Sequence, residues 1–160
     1  MKKMIIIAAV IICILSLNKS YELNQTNTIR FRVIANSDTL EDQEIKKEIV
    51  RNVSSVINES QKSTSLEETR TYINNKLPEF NEIVERTLLE NNDKRDFKVN
   101  YGLNYFPKKE LNNEEYPEGM YESLVITLGE GQGNNFWCIL FPPLCMIEEN
   151  EDYEYKSFIK

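Results

Sequence analysis

The pattern of apolar and polar residues begins with a long apolar run. Two lysines precede residues 4–17, which are apolar or small apart from one serine. A basic end followed by such a run is typical of an export signal, and the run is short for a transmembrane helix, which needs roughly 20 residues. We therefore predict that residues 1–20 form a signal peptide or membrane anchor, with its cleavage left open, and that the polar residues 21–28 form a tether.

Residues 29–35 alternate between apolar residues and two arginines, which predicts a strand with the apolar side chains on one face and the arginines on the other. The polar triplet Asn36, Ser37 and Asp38 follows, and a helical pattern begins after it. One interpretation is a strand exit combined with a helix N-cap, supplied by Asp38, Ser37 or Thr39. The other makes the triplet part of a binding surface at the carboxyl end of the strand, where sites in α/β proteins often lie.

Apolar residues recur at helical spacing from residue 40 to about 59 and predict a helix with a charged outer face. Ser65 and Glu68 form a capping-box pattern that predicts the start of a second helix, which extends to Leu77. Pro78 is expected to end that helix and to lie in the first turn of another, which runs to about residue 91. The stripes predict core-facing positions at Ile45, Ile49, Val50, Val53, Val56, Ile57, Phe80, Ile83, Val84, Thr87 and Leu88.

Three strands are predicted after the helices. Residues 97–105 alternate and indicate a half-buried strand, residues 108–120 indicate a charged loop, and residues 121–128 indicate a second, continuously apolar strand. A glycine-rich turn, residues 129–134, then leads into residues 135–141, which are too apolar for a loop and too few for a helix. We expect the last two strands to form a hairpin at a sheet centre that is covered on both faces.

This element order predicts an α+β fold, in which two or three helices cover an antiparallel or mixed sheet of about four strands, after an N-terminal export or anchor segment. The single domain is expected to span residues 29–147. Residues 148–160 are expected to form an acidic tail.

Composition narrows the function. The 160 residues include 19 Lys and Arg against 26 Asp and Glu, a net charge of -7, so we expect no nucleic-acid partner and no membrane contact beyond the N-terminal segment. The sequence has no histidine, which excludes Ser-His and Cys-His catalysis and every His-ligated metal site. No spacing singles out a pair among the 26 acidic residues either, so we expect no catalytic residues, no metal and no cofactor.

Two cysteines flank a pair of prolines. Cys138 precedes Pro142 and Pro143, and Cys145 follows them. In an exported domain such a pair is a candidate disulfide that would fix the proline-containing exit of the last strand. Bridged Cα atoms lie within about 7 Å of each other, which a fully extended segment would not allow, so free thiols remain the alternative.

The densest apolar cluster surrounds the single tryptophan. Trp137, Phe141 and Leu144 lie around the rigid pair Pro142 and Pro143. Most of this cluster is expected in the core. Any exposed part is a candidate partner-binding site, because aromatic side chains on a rigid backbone lose little entropy on binding.

Several separated segments resemble one protein family. Residues 135–145, Asn-Phe-Trp-Cys-Ile-Leu-Phe-Pro-Pro-Leu-Cys, resemble a signature of the stage II sporulation protein R family, roughly Asn-Trp-Trp-Cys-Val-x-Phe-Pro-Pro-Leu-Cys. The resemblance covers about residues 29–147. The other segments that resemble the family lie in the same order as in its members, at residues 29–38, Phe106-Pro107, 117–122 and 129–133.

Two positions depart from the family pattern. Phe136 stands where the family usually has its first tryptophan, which keeps an aromatic side chain. Glu118 stands in a loop where a small residue is usual, which puts a local contact in doubt.

The resemblance implies a developmental signal in endospore-forming bacteria. The family's protein is made in the forespore and exported into the space between the two membranes. There it triggers a membrane-embedded aspartic protease of the mother cell, and that protease processes the precursor of the early mother-cell sigma factor. The residues alone leave two other classes open. One is an envelope-binding module, and the other is a cell-envelope carboxylate hydrolase, which would have two facing carboxylates about 5 to 9.5 Å apart.

Overall fold

The computed structural model describes residues 6–7, 10–13, 27–60, 62–111 and 114–143. The first two of these segments are helical, and within the described parts of the chain no helix is both long enough and apolar enough to cross a membrane. The predicted export segment and tether lie largely outside the described residues, and the tail lies entirely outside them. Their boundaries stay predictions.

Four strands form one mixed sheet in this part of the chain. In spatial order they are β2 (Phe97–Phe106), β5 (Gly119–Leu128), β1 (Ile29–Ile34) and β6 (Asn135–Phe141). β1 pairs in parallel with β5 and antiparallel with β6, and β2 pairs antiparallel with β5. Two short strands, β3 (Lys109–Leu111) and β4 (Glu114–Tyr116), form a separate ladder within the segment that was predicted as a charged loop.

Two long helices, α1 (Leu40–Ser60) and α2 (Leu66–Glu90), share one core with the apolar side of β1. Ile29, Phe31 and Val33 are fully buried there, and every core position predicted on the helices is buried as well. Ser65 caps α2 by accepting a hydrogen bond from the backbone N–H of Glu68 at 3.2 Å, as predicted. The α+β fold with a mixed sheet of four strands is confirmed.

The prediction that Pro78 ends a helix is wrong, because α2 continues through it. Pro78 is exposed, so the carbonyl that its missing N–H leaves unbonded, that of Asn74, lies on the solvent side of the helix. Ile73 and Phe80, on either side of the proline, are both fully buried in the main core. Burial of this continuous stripe outweighs the loss of one helical hydrogen bond, which is the tertiary context that sequence propensity omits.

The predicted hairpin between the last two strands is also wrong. β1 lies between β5 and β6, so residues 129–134 cross over the end of β1. The spacing of two apolar strands around a glycine turn does not reveal that a third strand separates them. β6 is consequently an edge strand, and the centre of the sheet is formed by β1 and β5.

β2 extends beyond the core that lies under the helices. Phe97, Val99 and Tyr101 pack against that core, as their alternation predicts. Leu103 and Tyr105 continue the same alternation but are 70% and 55% exposed. In the second half of β2 the apolar face that was predicted to be buried is therefore the exposed one, whereas Phe106 on the other face is fully buried.

Candidate functional site

The polar triplet at the end of β1 contacts the turn that precedes β6. Asn36 Oδ1 accepts a hydrogen bond from the backbone N–H of Glu130 at 3.0 Å, and the Asn36 carbonyl accepts one from Gln132 at 3.0 Å. Asp38 Oδ1 accepts one from the backbone N–H of Asn134 at 2.6 Å. The candidate triplet and the glycine-rich turn, which lie far apart in the sequence, therefore form one unit. We call residues 36–38 and 129–134 the strand-exit network.

Two glycines permit this close approach of the backbone. Gly129 has a φ of 52°, and a Cβ there would lie 2.3 Å from Asn36 Oδ1. At Gly133 a Cβ would lie 2.2 Å from the carbonyl oxygen of Ser37. Any other residue at these positions would push the turn away from β1. The two glycines therefore allow residues 129–134 to cross closely over the end of β1.

Asp42, in the first turn of α1, is the buried centre of the network. Its carboxylate accepts hydrogen bonds from Asn36 Nδ2 at 2.8 Å and Ser37 Oγ at 2.5 Å, and it forms an ion pair with Arg95 at 2.5 Å. Burial would raise the pKa of Asp42, but these hydrogen bonds and the charge of Arg95 lower it to about 2. Sequence reasoning missed both Asp42 and Arg95. An acidic residue in the first turn of a helix is usually exposed, and the sequence does not show that this one is buried against an arginine.

The N-cap of α1 is Thr39, one of the three residues predicted for it. Thr39 Oγ1 accepts a hydrogen bond from the backbone N–H of Asp42 at 3.3 Å. Asp38 is exposed and bonds to Asn134 and to Gln43 Nε2, the latter at 3.4 Å. The triplet thus has a structural role, and its use as a partner-binding surface stays a prediction.

The opposite face of the sheet carries an aromatic cluster. Phe106 is fully buried, and its ring centroid lies 4.8 Å from that of Trp137 and 5.9 Å from that of Tyr121, both in edge-to-face geometry. β2 and β6 are the two edges of the sheet. The end of β2 must therefore fold across this face to bring Phe106 to Trp137.

Three cationic side chains lie against these rings. Arg30 Cζ lies 3.3 Å from the ring centroid of Tyr121, Arg32 Cζ lies 5.3 Å from that of Trp137, and Lys109 Nζ lies 4.9 Å from the same Trp137 centroid. We call this group the cation–aromatic cluster, formed by Arg30, Arg32, Phe106, Lys109, Tyr121 and Trp137.

Sequence reasoning found only Trp137 in this cluster. Arg30 is 6% exposed, and the alternation along β1 placed both arginines on the face opposite the apolar side chains without indicating that this face is covered. One feature of the sequence could have indicated the cluster: two arginines share one face of a strand in a chain that is acidic overall. Nothing in the sequence indicated that Lys109 belongs to this cluster. It lies in a charged segment, and the position of that segment over the sheet is set by tertiary structure.

The remaining candidates at the end of β6 do not join this cluster. Phe141 packs against the main core under the helices. Pro142 and Pro143 are exposed, and the Phe141–Pro142 peptide bond is cis. Leu144 lies outside the described residues. Trp137 and the proline segment are therefore separate candidate contacts.

Cys138 is 3% exposed and disulfide-bonded. Cys145 lies outside the described residues, so the pairing of these two cysteines stays a prediction. Cys13, in the N-terminal helical segment, is exposed and free.

A second, partly buried carboxylate links α2 to the sheet. Arg70 binds Glu122 through Nε at 2.9 Å and Nη2 at 2.7 Å, and the Tyr101 hydroxyl donates to Glu122 at 2.6 Å. Burial would raise the pKa of Glu122, but the hydrogen bonds from Arg70 and Tyr101 lower it. Burial and the bond to Glu122 raise the pKa of Tyr101. This group holds α2 against β2 and β5, and no sequence pattern indicated it.

Comparison with known proteins supports one family. The sequence matches the family model described as Stage II sporulation protein R (spore_II_R) over residues 25–151. It is 42% identical over 121 residues to Stage II sporulation protein R of Bacillus subtilis (strain 168), in an alignment that covers 75% of this chain and 54% of that protein. The chain therefore spans about half the length of the curated relative that it matches. No solved structure matches it.

Proposed function

Because the chain belongs to the stage II sporulation protein R family, and so has a role in sporulation, we propose that it is an exported signalling protein. It acts between the forespore and mother-cell membranes, where it activates a membrane-embedded aspartic protease. That protease then processes the precursor of the early mother-cell sigma factor. The observation that carries the proposal is the family match over residues 25–151, which includes every motif of the resemblance.

Two features support export. The basic and apolar N-terminal sequence is typical of an export signal. Cys138 is disulfide-bonded, and disulfides persist mainly in oxidising compartments outside the cytosol.

Activation works through contact in this proposal. A ligand shifts an equilibrium only by its differential affinity for the two states, so binding that favours the active arrangement of the protease is sufficient. The candidate contacts are the cation–aromatic cluster and the exposed segment at Pro142 and Pro143. Both involve β6, and the strand-exit network positions the start of that strand.

The state of the buried acids favours a binding protein over a hydrolase. A general acid that works near neutral pH needs a raised pKa. Asp42 and Glu122 are instead held by Arg95 and Arg70, and the pKa of each carboxyl is lowered. Both acids therefore serve as structural anions.

Reconstitution tests the proposal. The membrane protease and the sigma-factor precursor are expressed in a non-sporulating host, with and without this full chain, and precursor cleavage is followed. A protease variant without its catalytic aspartate is the control. Cleavage that requires both this protein and that aspartate supports the proposal. No cleavage with a folded and exported protein would overturn it in favour of the envelope hydrolase or binding module.

A further inference from the structure

Two like charges share one aromatic side chain in the cation–aromatic cluster. Arg32 and Lys109 both lie within about 6 Å of the Trp137 ring centroid, the range of a cation–π contact. Burial lowers the pKa of Arg32. Burial and the nearby charge of Arg32 lower the pKa of Lys109. The charged form of each residue is therefore less stable at this site than it would be in water.

These two cations differ from Arg70 and Arg95 in having no acidic partner among the described residues. Arg70 and Arg95 pair with Glu122 and Asp42. Among the described side chains of residues 27–60, 62–109 and 115–143, no carboxylate forms an ion pair with Arg32 or Lys109. The chain has more acidic than basic residues, so a shortage of carboxylates does not explain why Arg32 and Lys109 lack an ion pair.

The hydrogen bonds of Arg32 go to neutral acceptors. Its Nη1 donates to the carbonyl of Tyr105 at 3.3 Å. Its Nε and Nη2 face the amide oxygen of Asn135 at 3.3 Å, in the amide orientation that also lets Asn135 donate to the Gly133 carbonyl. These contacts fix the guanidinium in place and leave its charge uncompensated. A fixed cation that shares one aromatic ring with a second cation is a preorganised site for an anion.

We propose that the cation–aromatic cluster is the docking site for an acidic polypeptide segment of the activated protease, whose carboxylates bind between Arg32 and Lys109 beside Trp137. This inference rests on the proposed function and adds the chemistry of the contact. Charge complementarity supports it, because a chain with a net charge of -7 attracts an acidic partner only locally, where cations such as Arg32 and Lys109 lack an acidic side chain of their own.

A protein carboxylate suits the site better than a membrane surface does. Arg32, Lys109 and Trp137 are all partly buried, so they admit a single side chain more readily than a flat array of headgroups. The acidic chain as a whole would also be repelled by an anionic lipid surface, to which several clustered basic residues are normally needed for binding.

Trp137 provides a direct readout, since it is the only tryptophan in the chain. The full chain is titrated with a peptide of four Glu-Gly repeats, and the Trp137 emission is followed. A peptide of four Gln-Gly repeats is the neutral control, and phosphatidylglycerol vesicles are the lipid arm. We expect a saturable, salt-sensitive emission change with the Glu-Gly peptide alone. Lys109→Gln should weaken that binding about fivefold and Lys109→Glu about tenfold or more.

A matched control separates the site from general charge. Lys98 is exposed near the other end of β2, and the same substitutions there change the net charge equally. Lys98→Gln and Lys98→Glu should leave the binding unchanged. An equal response to the Gln-Gly peptide, an equal loss in the Lys98 variants, or an emission change with the vesicles alone would overturn the proposal.

The acidic tail of the chain is the competing occupant. Its five acids in residues 148–154 are replaced by the corresponding amides in the full chain. Peptide affinity that stays the same supports a site for a partner. Affinity that rises several-fold would assign the site to the tail and overturn the proposal.

Failure of this inference is distinguishable from failure of the proposed function. The peptide titration contains no protease, so it stands even if reconstitution gives no cleavage. In a working reconstitution, Lys109→Glu should reduce precursor cleavage while Lys98→Glu does not. Normal cleavage with Lys109→Glu would overturn the docking site and leave the signalling function in place.

Discussion

The backbone N–H of Asn134 donates a 2.6 Å hydrogen bond to the carboxylate of Asp38, which joins the start of β6 to the end of β1. A bond to an ionised acceptor is stronger than a neutral one. We therefore expect Asp38→Ala to lower the free energy of unfolding by about 1–2 kcal/mol. Urea unfolding followed by Trp137 fluorescence measures this change.

Asp38→Asn is the matched control, because its amide oxygen can still accept the bond. It should lose less than half as much stability as Asp38→Ala. If Asp38→Ala keeps full stability but abolishes protease activation, Asp38 is a partner contact and not a structural acceptor.

Gly133→Ala should displace the crossing turn. Its Cβ would lie 2.2 Å from the Ser37 carbonyl oxygen, so the backbone of one segment must move. We expect a loss of about 1–3 kcal/mol, the usual range for overpacking a tight contact. Gln132→Ala in the same turn is the control, and because Gln132 is exposed, it should change stability by less than about 0.5 kcal/mol. Equal stability of the two variants would contradict the close approach.

Asp42 should make the fold sensitive to acid. Its pKa is about 2 in the fold and about 3.9 in an unfolded chain, so its contribution is fully present above pH 4 and is lost as the pH falls to 2. A shift of this size corresponds to about 2–3 kcal/mol. Asp42→Asn should therefore be less stable than the unmodified protein at pH 7.

The stability difference between these two proteins should shrink as the pH falls. Urea unfolding of both proteins at pH 7, 4, 3 and 2 measures it. The comparison isolates Asp42, because other carboxylates titrate in both proteins. A difference that stays constant from pH 7 to pH 2 would show that Asp42 is not held as an anion by Ser37, Asn36 and Arg95.

Glu122→Gln should loosen α2 from the sheet. The substitution removes the charge that Arg70 and Tyr101 both bind, so we expect a loss of about 1–3 kcal/mol. Glu67→Gln is the control, since Glu67 is 77% exposed where it pairs with the same Arg70, and it should cost less than about 0.5 kcal/mol. Thermal unfolding followed by circular dichroism compares them. Equal losses would show that burial of Glu122 adds nothing to this pair.

Pro78→Ala should stabilise the protein. Alanine restores the hydrogen bond to the Asn74 carbonyl, and because Pro78 is exposed, the change opens no cavity in the core. The gain, reduced by the greater freedom of the unfolded chain, should be about 1–2 kcal/mol. Glu85→Ala, at another exposed position of α2, is the control for helix propensity. A loss of stability would mean that the restricted backbone of Pro78 stabilises α2 by more than its missing hydrogen bond costs.

Local patterns predicted most of the elements. The alternation at Ile29, Phe31 and Val33 predicted β1, and the capping box at Ser65 and Glu68 predicted the start of α2. Each of these signals arises within a few neighbouring residues and survives in the fold. The errors concern relations between distant segments. Nothing near residues 129–134 indicates that β1 will come between β5 and β6.

The candidate site was found only in part for the same reason. Trp137 was recognised because it is unique and lies in a dense apolar segment. The alternation placed Arg30 on the face opposite the helices, and nothing near it in the sequence indicated that a segment following β2 covers that face. Asp42 and Arg95 meet only because the segment after α2 returns to the start of α1. Buried charged groups of this kind are invisible to periodicity, which measures apolar positions alone.

The parallel pairing of β1 with β5 has a consequence for how the domain folds. Ile29 pairs with Glu122, and both helices and β2 lie between them along the chain. Contacts of such long sequence separation close late and slow folding. A chain that leaves a ribosome, or passes through a pore with its N-terminus first, cannot complete the middle of its sheet until β5 has emerged. The topology therefore delays the folded state until nearly the whole domain is available, which would suit the export across a membrane that is proposed above.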